Sequence, residues 1–279
     1  MKILARSIIG GLACMAALIY TPAYAGPGDL LVSPVRVVFE GRERVAEVTL
    51  VNKGETPATY RISFENRRMN RDGSFAPITE AGEGELFSDS YVRFAPRRVD
   101  LEPNAPQTLR LMLRKPADLG DGEYRSHLHL AAIPDDAGSA SIEAGEGDAN
   151  AISIQLTPVY GVTIPIIVRH GVLEADAKIT TADYVRTSNG GGELKFTFER
   201  TGTKSLYGDF TLHVEGRDEA LMQMSGVALY TPNSARDMKI SLPPEAAAIA
   251  AGKSLEIRFQ DRTVSGTDLF ASAVIGPLN

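Results

Sequence analysis

One stretch of the sequence, residues 152–168, constrains the fold more than any other. Its even-numbered positions are apolar throughout: Ile152, Ile154, Leu156, Pro158, Tyr160, Val162, Ile164, Ile166 and Val168. Because alternate side chains of a strand share one face, the pattern predicts a single strand with a continuous apolar stripe. At about 3.3 Å per residue it would be roughly 50 Å long, whereas strands usually have about 5–6 residues. One small sandwich cannot bury such a stripe, so the strand either bends to serve two sheets or keeps part of its face for another chain.

Two prolines in this stretch indicate where the strand lies in its sheet. Pro158 and Pro165 have no backbone N–H to donate to a neighbouring strand, which predicts an edge position. Soluble proteins usually protect apolar edges because such edges recruit other chains. We therefore interpret this edge as a functional surface.

The N-terminus has the pattern of a secretory signal peptide. Lys2 and Arg6 precede an apolar run, residues 8–19, and the small-residue site AYA at residues 23–25 predicts cleavage after Ala25. The only cysteine, Cys14, lies within this segment. The mature chain is therefore expected in an oxidising compartment, the bacterial periplasm, without a disulfide to stabilise it.

Charge and hydropathy exclude two classes of partner. Without Lys2 and Arg6, 27 basic residues stand against 35 acidic ones, which disfavours binding to nucleic acid. The mature chain has no apolar stretch long enough to predict insertion into a membrane.

The rest of the sequence predicts an all-β protein. Short alternating runs separated by Gly, Pro and Asn are typical of immunoglobulin-like sandwiches, and Tyr124 follows a turn as in a tyrosine corner. We predict a first sandwich at residues 26–170, with a mobile loop at 134–150 and the long strand at 151–169. A second β-sandwich follows at residues 171–279, with one short helix near residues 244–251.

Few side chains in this sequence suggest a catalytic or metal-binding site. His127 and His129 share a strand face, as in some copper or zinc sites, but His170 and His213 are predicted elsewhere. We therefore expect both rings to face solvent, and we expect no metal, no other cofactor and no catalytic site. A metal-dependent enzyme that uses His127 and His129 is kept as an alternative hypothesis.

Arg36 lies among apolar neighbours on the first predicted strand. It is either an ordinary surface residue or a fixed cation at the bottom of a cleft. A guanidinium in such a place can hold a carboxylate through two parallel hydrogen bonds.

Four segments together resemble the periplasmic pilus-assembly chaperones, the PapD-like family. They are SPVRVVFEG at residues 33–41, FAPRRVDLEP at 94–103, QTLRL at 107–111 and GEYRSHL at 122–128, in this order before the loop and the long strand. The resemblance covers the first predicted domain and, weakly, the second. The family is one of those that use donor-strand complementation, in which an added strand completes another protein's sheet.

The resemblance implies two immunoglobulin-like domains in an L shape and a function without enzymatic activity. The strand would donate Ile152, Ile154 and Leu156, with Tyr160 as a further candidate, to a pilin-like fibre subunit that lacks its last strand. An outer-membrane usher would receive the subunit. Arg36 matches the family's anchor for the C-terminus of the subunit. The client-free protein would be a monomer or weak dimer, and the long loop resembles that of the family's long-loop branch.

The chain departs from the family at one position. The family pairs the anchoring arginine with a lysine on the donor strand, but residues 161–165 contain no basic residue. Arg125, on a neighbouring strand, is a candidate substitute. The other hypothesis for the whole chain is a structural or adhesive module, in which the apolar strand pairs with its own copy.

Overall fold

The computed structural model describes residues 29–134, 160–262 and 269–277, which form an all-β protein with one short helix. The first ten strands are β1 (Leu30–Ser33), β2 (Val37–Phe39), β3 (Val45–Asn52), β4 (Ala58–Met69), β5 (Phe75–Ile78), β6 (Val92–Ala95), β7 (Arg98–Leu101), β8 (Pro106–Leu113), β9 (Gly122–Ile133) and β10 (Gly161–His170). The elements that follow are β11 (Ala175–Arg186), β12 (Gly192–Gly202), β13 (Leu206–Val214), β14 (Ala220–Leu229), β15 (Ala235–Leu242), α1 (Pro244–Ala250), β16 (Leu255–Asp261) and β17 (Ala271–Ile275).

The first ten strands form a sandwich of two sheets. One sheet has the order β1-β3-β8-β6, and the other has the order β2-β10-β9-β4-β5 with β7 also paired to β4. The alternating strands bury one face each, so Leu50, Leu109, Leu128 and Ile164 from both sheets meet in one core. The immunoglobulin-like sandwich predicted from the alternation is therefore present.

The predicted tyrosine corner is also present at the start of β9. The hydroxyl of Tyr124 donates a 2.9 Å hydrogen bond to the carbonyl oxygen of Gly120. The Tyr124 ring packs edge-on against Tyr91, with 5.5 Å between centroids. These contacts fix the turn that leads into β9, which carries much of the site described below.

The remaining strands form a second sandwich. Its sheets have the orders β11-β12-β15 and β14-β13-β16-β17. An aromatic cluster of Phe196, Phe198, Phe210 and Phe259 fills its core, with ring centroids 4.6–5.2 Å apart. At these separations aromatic rings add to the stability that burial alone provides.

A third apolar cluster joins the two sandwiches. Met69 and Ile167 of the first sandwich pack against Ala228 and Tyr230 of the second. The β4–β5 hairpin reaches the second sandwich, where the Asp237 N–H donates a 2.7 Å hydrogen bond to the carbonyl oxygen of Arg71. One face of the first sandwich is therefore a cleft wall and not a solvent surface.

The structure refines the predicted edge position of the long strand. In β10, Ile166–Val168 pair with β2 in parallel while the whole strand pairs with β9, so this half of β10 is a central strand. The prediction of an edge was therefore wrong for residues 166–168. The physical reason is that the first strand changes sheet: β1 pairs with β3, and β2 crosses to β10.

The predicted helix is α1, which ends one residue before the predicted boundary, and most predicted strands are found with longer bounds. Three predicted features lie outside the described residues: the signal peptide, most of the loop at 134–150 and the part of the long strand before Tyr160. In the described ranges, no helix has the length and apolar character that crossing a membrane requires.

Candidate functional site

The cleft face of the first sandwich is set by strand alternation. In β2, Val37 and Phe39 belong to the core, whereas Val38 belongs to the cluster between the sandwiches. Arg36 is therefore on the cleft side, and its guanidinium lies 4.6 Å from the centroid of the Tyr207 ring in the second sandwich. Of the two alternatives that the sequence leaves open for Arg36, this geometry fits the position in a cleft, and its role as an anchor stays a prediction.

Arg36 has no counter-charge of its own in the described part of the chain. Its Nε and Nη2 are buried without a hydrogen-bond partner in the described part of the chain, and no ion pair is found there for it. The stacked Tyr207 ring holds the plane of the guanidinium by a cation–π contact. A planar guanidinium with unused donors is suited to binding a carboxylate.

A second guanidinium in the cleft, that of Arg125 on β9, is in a similar state. Its carbon lies 4.4 Å from the centroid of Tyr230, and its Nε and Nη1 are buried without a partner among the described residues. Within the described ranges only Nη2 donates a hydrogen bond, to the carbonyl oxygen of Arg67 at 3.3 Å. Burial lowers the pKa of Arg125 and raises the pKa of Tyr230, so the contact joins a cation to a neutral phenol ring.

A third arginine, Arg169 on β10, differs because its charge is neutralised. Its Nε donates a 3.0 Å hydrogen bond to Oε2 of Glu123, and both side chains are almost fully buried. The same carboxylate accepts a hydrogen bond from the backbone N–H of Ser205 in the second sandwich at 3.2 Å. This ion pair therefore stabilises the docking of the two sandwiches.

The β2–β10 register leaves an open edge beside Arg36. Pairing begins with Val37 opposite Ile166, so Gly161–Pro165 have no strand partner on that side among the described residues. Pro165 has no N–H, which explains why this half of the strand tolerates an edge position. Arg36, one residue before Val37, stands at the end of the open edge.

The predicted donor residues are only partly described. Ile152, Ile154 and Leu156 lie outside the described residues, so their role stays a prediction. Tyr160 is 54% exposed, and its carbonyl oxygen accepts a hydrogen bond from the Ala132 N–H at 2.8 Å. The alternation continues into β10, where Ile164, Ile166 and Val168 face the core.

The prediction that His127 faces solvent was wrong. His127 is buried, and its ring packs edge-on against Phe75 with 5.5 Å between centroids. Burial and the nearby guanidinium groups of Arg125 and Arg67 lower its pKa to about 3. His129 contacts the Thr163 hydroxyl at 2.9 Å, and no group of three or more metal-ligating side chains is found in the described ranges.

Several residues of the cleft were missed in the sequence. Tyr207, Tyr230 and Arg236 come from the second sandwich and carry no motif of their own. Arg67 lies in a polar run of β4 without period-2 alternation, a signal that the strand faces something other than a simple core. A run of this kind on a predicted central strand could have indicated a second domain covering the sheet.

Comparison with known proteins gives matches at the level of structure. The sequence matches no protein-family model, and a sequence comparison with curated proteins finds no match. One similar solved structure is the CsuC–CsuE chaperone–tip subunit pre-assembly complex of Acinetobacter baumannii, at 14% identity over 90% of this chain and 99% of the other, with a TM-score of 0.45. A second is the Salmonella enterica SafA pilin in complex with the SafB chaperone, at 16% identity over 89% of this chain and 97% of the other, with a TM-score of 0.43. A third is the CupB2 chaperone of Pseudomonas aeruginosa, at 13% identity over 88% of this chain and 100% of the other, with a TM-score of 0.41.

These solved structures are chaperones or their complexes with pilus subunits, the class of protein that the sequence motifs resemble.

Proposed function

We propose that this protein is a periplasmic chaperone that binds fibre subunits and delivers them to an outer-membrane usher. One observation carries the proposal: the open edge at Gly161–Pro165 ends at Arg36, whose buried Nε and Nη2 have no partner in the described chain. An extended segment of a subunit that adds to this edge would reach the guanidinium with its C-terminal carboxylate.

The first step in this function is the addition of a subunit strand to the open edge. Along Gly161–Thr163 no strand of the described chain pairs on this side, so the backbone N–H and C=O groups there can bind an added strand independently of its sequence. Pro165 ends this run of donors next to Arg36. The edge therefore gives affinity, and Arg36 fixes the register of the subunit.

The second step is the capture of the carboxylate. Arg36 donates two parallel hydrogen bonds, and the Tyr207 ring keeps its donors in place. Arg125 supplies the second positive charge that the family's donor-strand lysine would give, from the neighbouring strand β9. Because both guanidinium groups are already held against tyrosine rings, little side-chain ordering remains to oppose binding.

The third step is donation of the apolar side chains Ile152, Ile154 and Leu156. Burial of one such side chain is worth about 1.5–3 kcal/mol, so three would contribute roughly 5–9 kcal/mol before ordering costs. The subunit leaves when another strand with a better fit replaces the donor strand. The exchange needs no nucleotide and no cofactor.

Co-expression with a candidate fibre subunit tests this function. We expect Ile154→Asp and Leu156→Asp to abolish recovery of soluble subunit, because a charged side chain cannot enter the apolar groove of the subunit. Gln155→Asp on the opposite face is the matched control and should leave recovery unchanged. Equal recovery of subunit with all three variants and the wild type would show that strand donation is not the mechanism.

A further inference from the structure

A cavity of about 270 Å³ lies between the sandwiches, next to the carboxylate-binding residues but lined by others. Its walls include Arg67, His127 and Thr163 from the first sandwich and Tyr230 and Arg236 from the second. Arg36 and Arg125 are not among its lining residues. The proposed function therefore leaves this cavity without a role.

Two polar groups in the cavity wall have unused nitrogen atoms. Nε of Arg236 and Nδ1 of His127 are buried without a hydrogen-bond partner in the described ranges. Arg236 donates only through Nη1, to the carbonyl oxygen of Ala228 at 2.8 Å, and no ion pair is found for it there. His127 is 4% exposed, so its unused nitrogen is held inside the protein. Native proteins rarely leave such groups unsatisfied.

The other charges in the wall are already neutralised. Arg67 Nε lies 2.6 Å from Oε1 of Glu65, and the Thr163 hydroxyl donates to the same carboxylate oxygen at 3.2 Å. Asp72 is the carboxylate that acts on Arg236 electrostatically, but it accepts hydrogen bonds from Ser74. Asp72 therefore balances part of the charge of Arg236 from a distance, but the Arg236 Nε donor beside the cavity has no hydrogen-bond partner among the described residues.

The position of Arg236 depends on a glycine in the β4–β5 hairpin. Gly73 has a positive φ of 85°, and a Cβ atom there would lie 2.2 Å from Arg236 Nε. The hairpin thus makes room for the guanidinium where any larger residue would displace it. Apolar side chains such as Met69 and Phe75 complete the wall, so an anion with a short apolar stem fits the lining better than a free inorganic ion.

We infer that this cavity binds an acidic side chain, Asp or Glu, within a few residues of the C-terminus of the bound subunit. The carboxylate accepts a hydrogen bond from Arg236 Nε and a second from His127 with its proton on Nδ1. Tyr230 lines the cavity and also stacks on the guanidinium of Arg125, and Pro165, another lining residue, directly precedes Ile166, which pairs with Val37 next to Arg36 in the chain. A subunit whose C-terminus is held at Arg36 therefore passes the mouth of the cavity. This inference rests on the proposed function, because it needs the C-terminus anchored nearby.

Peptide titrations followed by NMR at pH 7 test the inference. The probes are N-acetylated alanine-based peptides with a free C-terminal carboxylate, carrying Glu or Gln at each of the last four positions in turn. We expect the Glu peptide to bind roughly tenfold more tightly than the Gln peptide at one position, because a charge-assisted hydrogen bond is added. Binding of that Glu peptide should also shift the imidazole resonances of His127.

Three variants separate this inference from the proposed function. Arg236→Met should remove the preference for the Glu peptide while leaving the affinity for the Gln peptide unchanged. His127→Phe, which retains the contact with Phe75, should reduce the preference for the Glu peptide. Arg36→Gln should weaken both peptides equally. If the Glu and Gln peptides bind equally well at every position and both depend on Arg36, the cavity does not bind an acidic side chain. The proposed binding of the C-terminal carboxylate by Arg36 would still hold. Binding independent of Arg36 and of C-terminal amidation, or no binding at millimolar peptide, would contradict the proposed function itself.

Discussion

Two kinds of arginine lie within one cleft, and they differ in their counter-charges among the described residues. Arg169 has a buried carboxylate, Glu123, at 3.0 Å, and this pair also binds the backbone of the second sandwich. Arg36 and Arg125 are stacked on tyrosine rings and keep unused buried donors in the described chain. We therefore interpret Arg169 as a structural charge and propose that Arg36 and Arg125 bind a ligand. Buried arginines that serve stability normally have their donors occupied, by a carboxylate as in Arg169 or by carbonyl oxygens as in Arg200.

The largest effect is expected from the structural pair. Glu123→Gln leaves Arg169 with a buried, weakly compensated charge, so the free energy of unfolding should fall by about 3–5 kcal/mol. Urea denaturation measures this change. Arg71→Ala is the control, because its ion pair with Asp237 is more than half exposed on both sides and should contribute less than about 1 kcal/mol. A loss for Glu123→Gln no greater than that for Arg71→Ala would remove the distinction between the two kinds of arginine.

For Arg36 we expect a large loss of binding and only a small loss of stability. Arg36→Gln should weaken binding of a subunit by roughly 30- to 100-fold, because a charged bidentate contact is lost. Stability should change by less than about 1 kcal/mol, since no carboxylate is left unpaired. Arg97, an exposed arginine 5.6 Å from the Phe94 ring, is the matched control. Loss of stability without loss of binding would identify Arg36 as a structural residue.

Acid sensitivity is expected from His127, which is neutral in the cleft. Its pKa is about 3 in the folded protein and about 6.5 in the unfolded chain, so the unfolded state binds the proton first as the pH falls. The stability that this group contributes is fully present above pH 6.5 and is lost as the pH falls towards 3. From pH 7 to pH 5 the loss should be about 2 kcal/mol.

Denaturation curves of wild type and His127→Phe at the two pH values check this expectation. The variant should lose about 2 kcal/mol less than the wild type over the same interval. Identical pH dependence of the two proteins would mean that His127 is accessible to protons in the folded state.

The smallest effect on binding is expected from Arg125. Arg125→Met keeps the volume beside Tyr230 but removes the second charge, so subunit affinity should fall about three- to tenfold. Arg125→Lys should restore part of the loss and increase its dependence on salt. An unchanged affinity in Arg125→Met would assign the whole anchor to Arg36.

Much of the fold could be predicted because it follows from alternation within single strands. The core positions of β10 and the tyrosine corner at Tyr124 rest on local patterns, whereas such patterns left the cleft position of Arg36 as one of two alternatives. The crossing of β2 to β10 could not be read from the sequence, because the separation of β1 and β2 by three residues is compatible with one bent strand.

The composition of the cleft could not be predicted for a different reason. Period-2 alternation identifies the two faces of a sheet, but it does not show what covers the polar face. His127 was therefore expected in solvent, whereas the β4–β5 hairpin and Tyr230 of the second sandwich enclose it. Contacts between domains depend on residues that are distant in sequence and carry no shared pattern, as Tyr207 and Arg36 illustrate.

The most direct measurement is co-purification of a fibre subunit that has its natural C-terminus or two added residues, with wild-type protein or Arg36→Gln. If Arg36 binds the terminal carboxylate, extension of the subunit and Arg36→Gln should each reduce the complex by at least tenfold, and the two changes together should reduce it no further. A complex that forms equally well with the extended subunit, or losses that add independently, would contradict the role of Arg36 as the anchor at the end of the open edge.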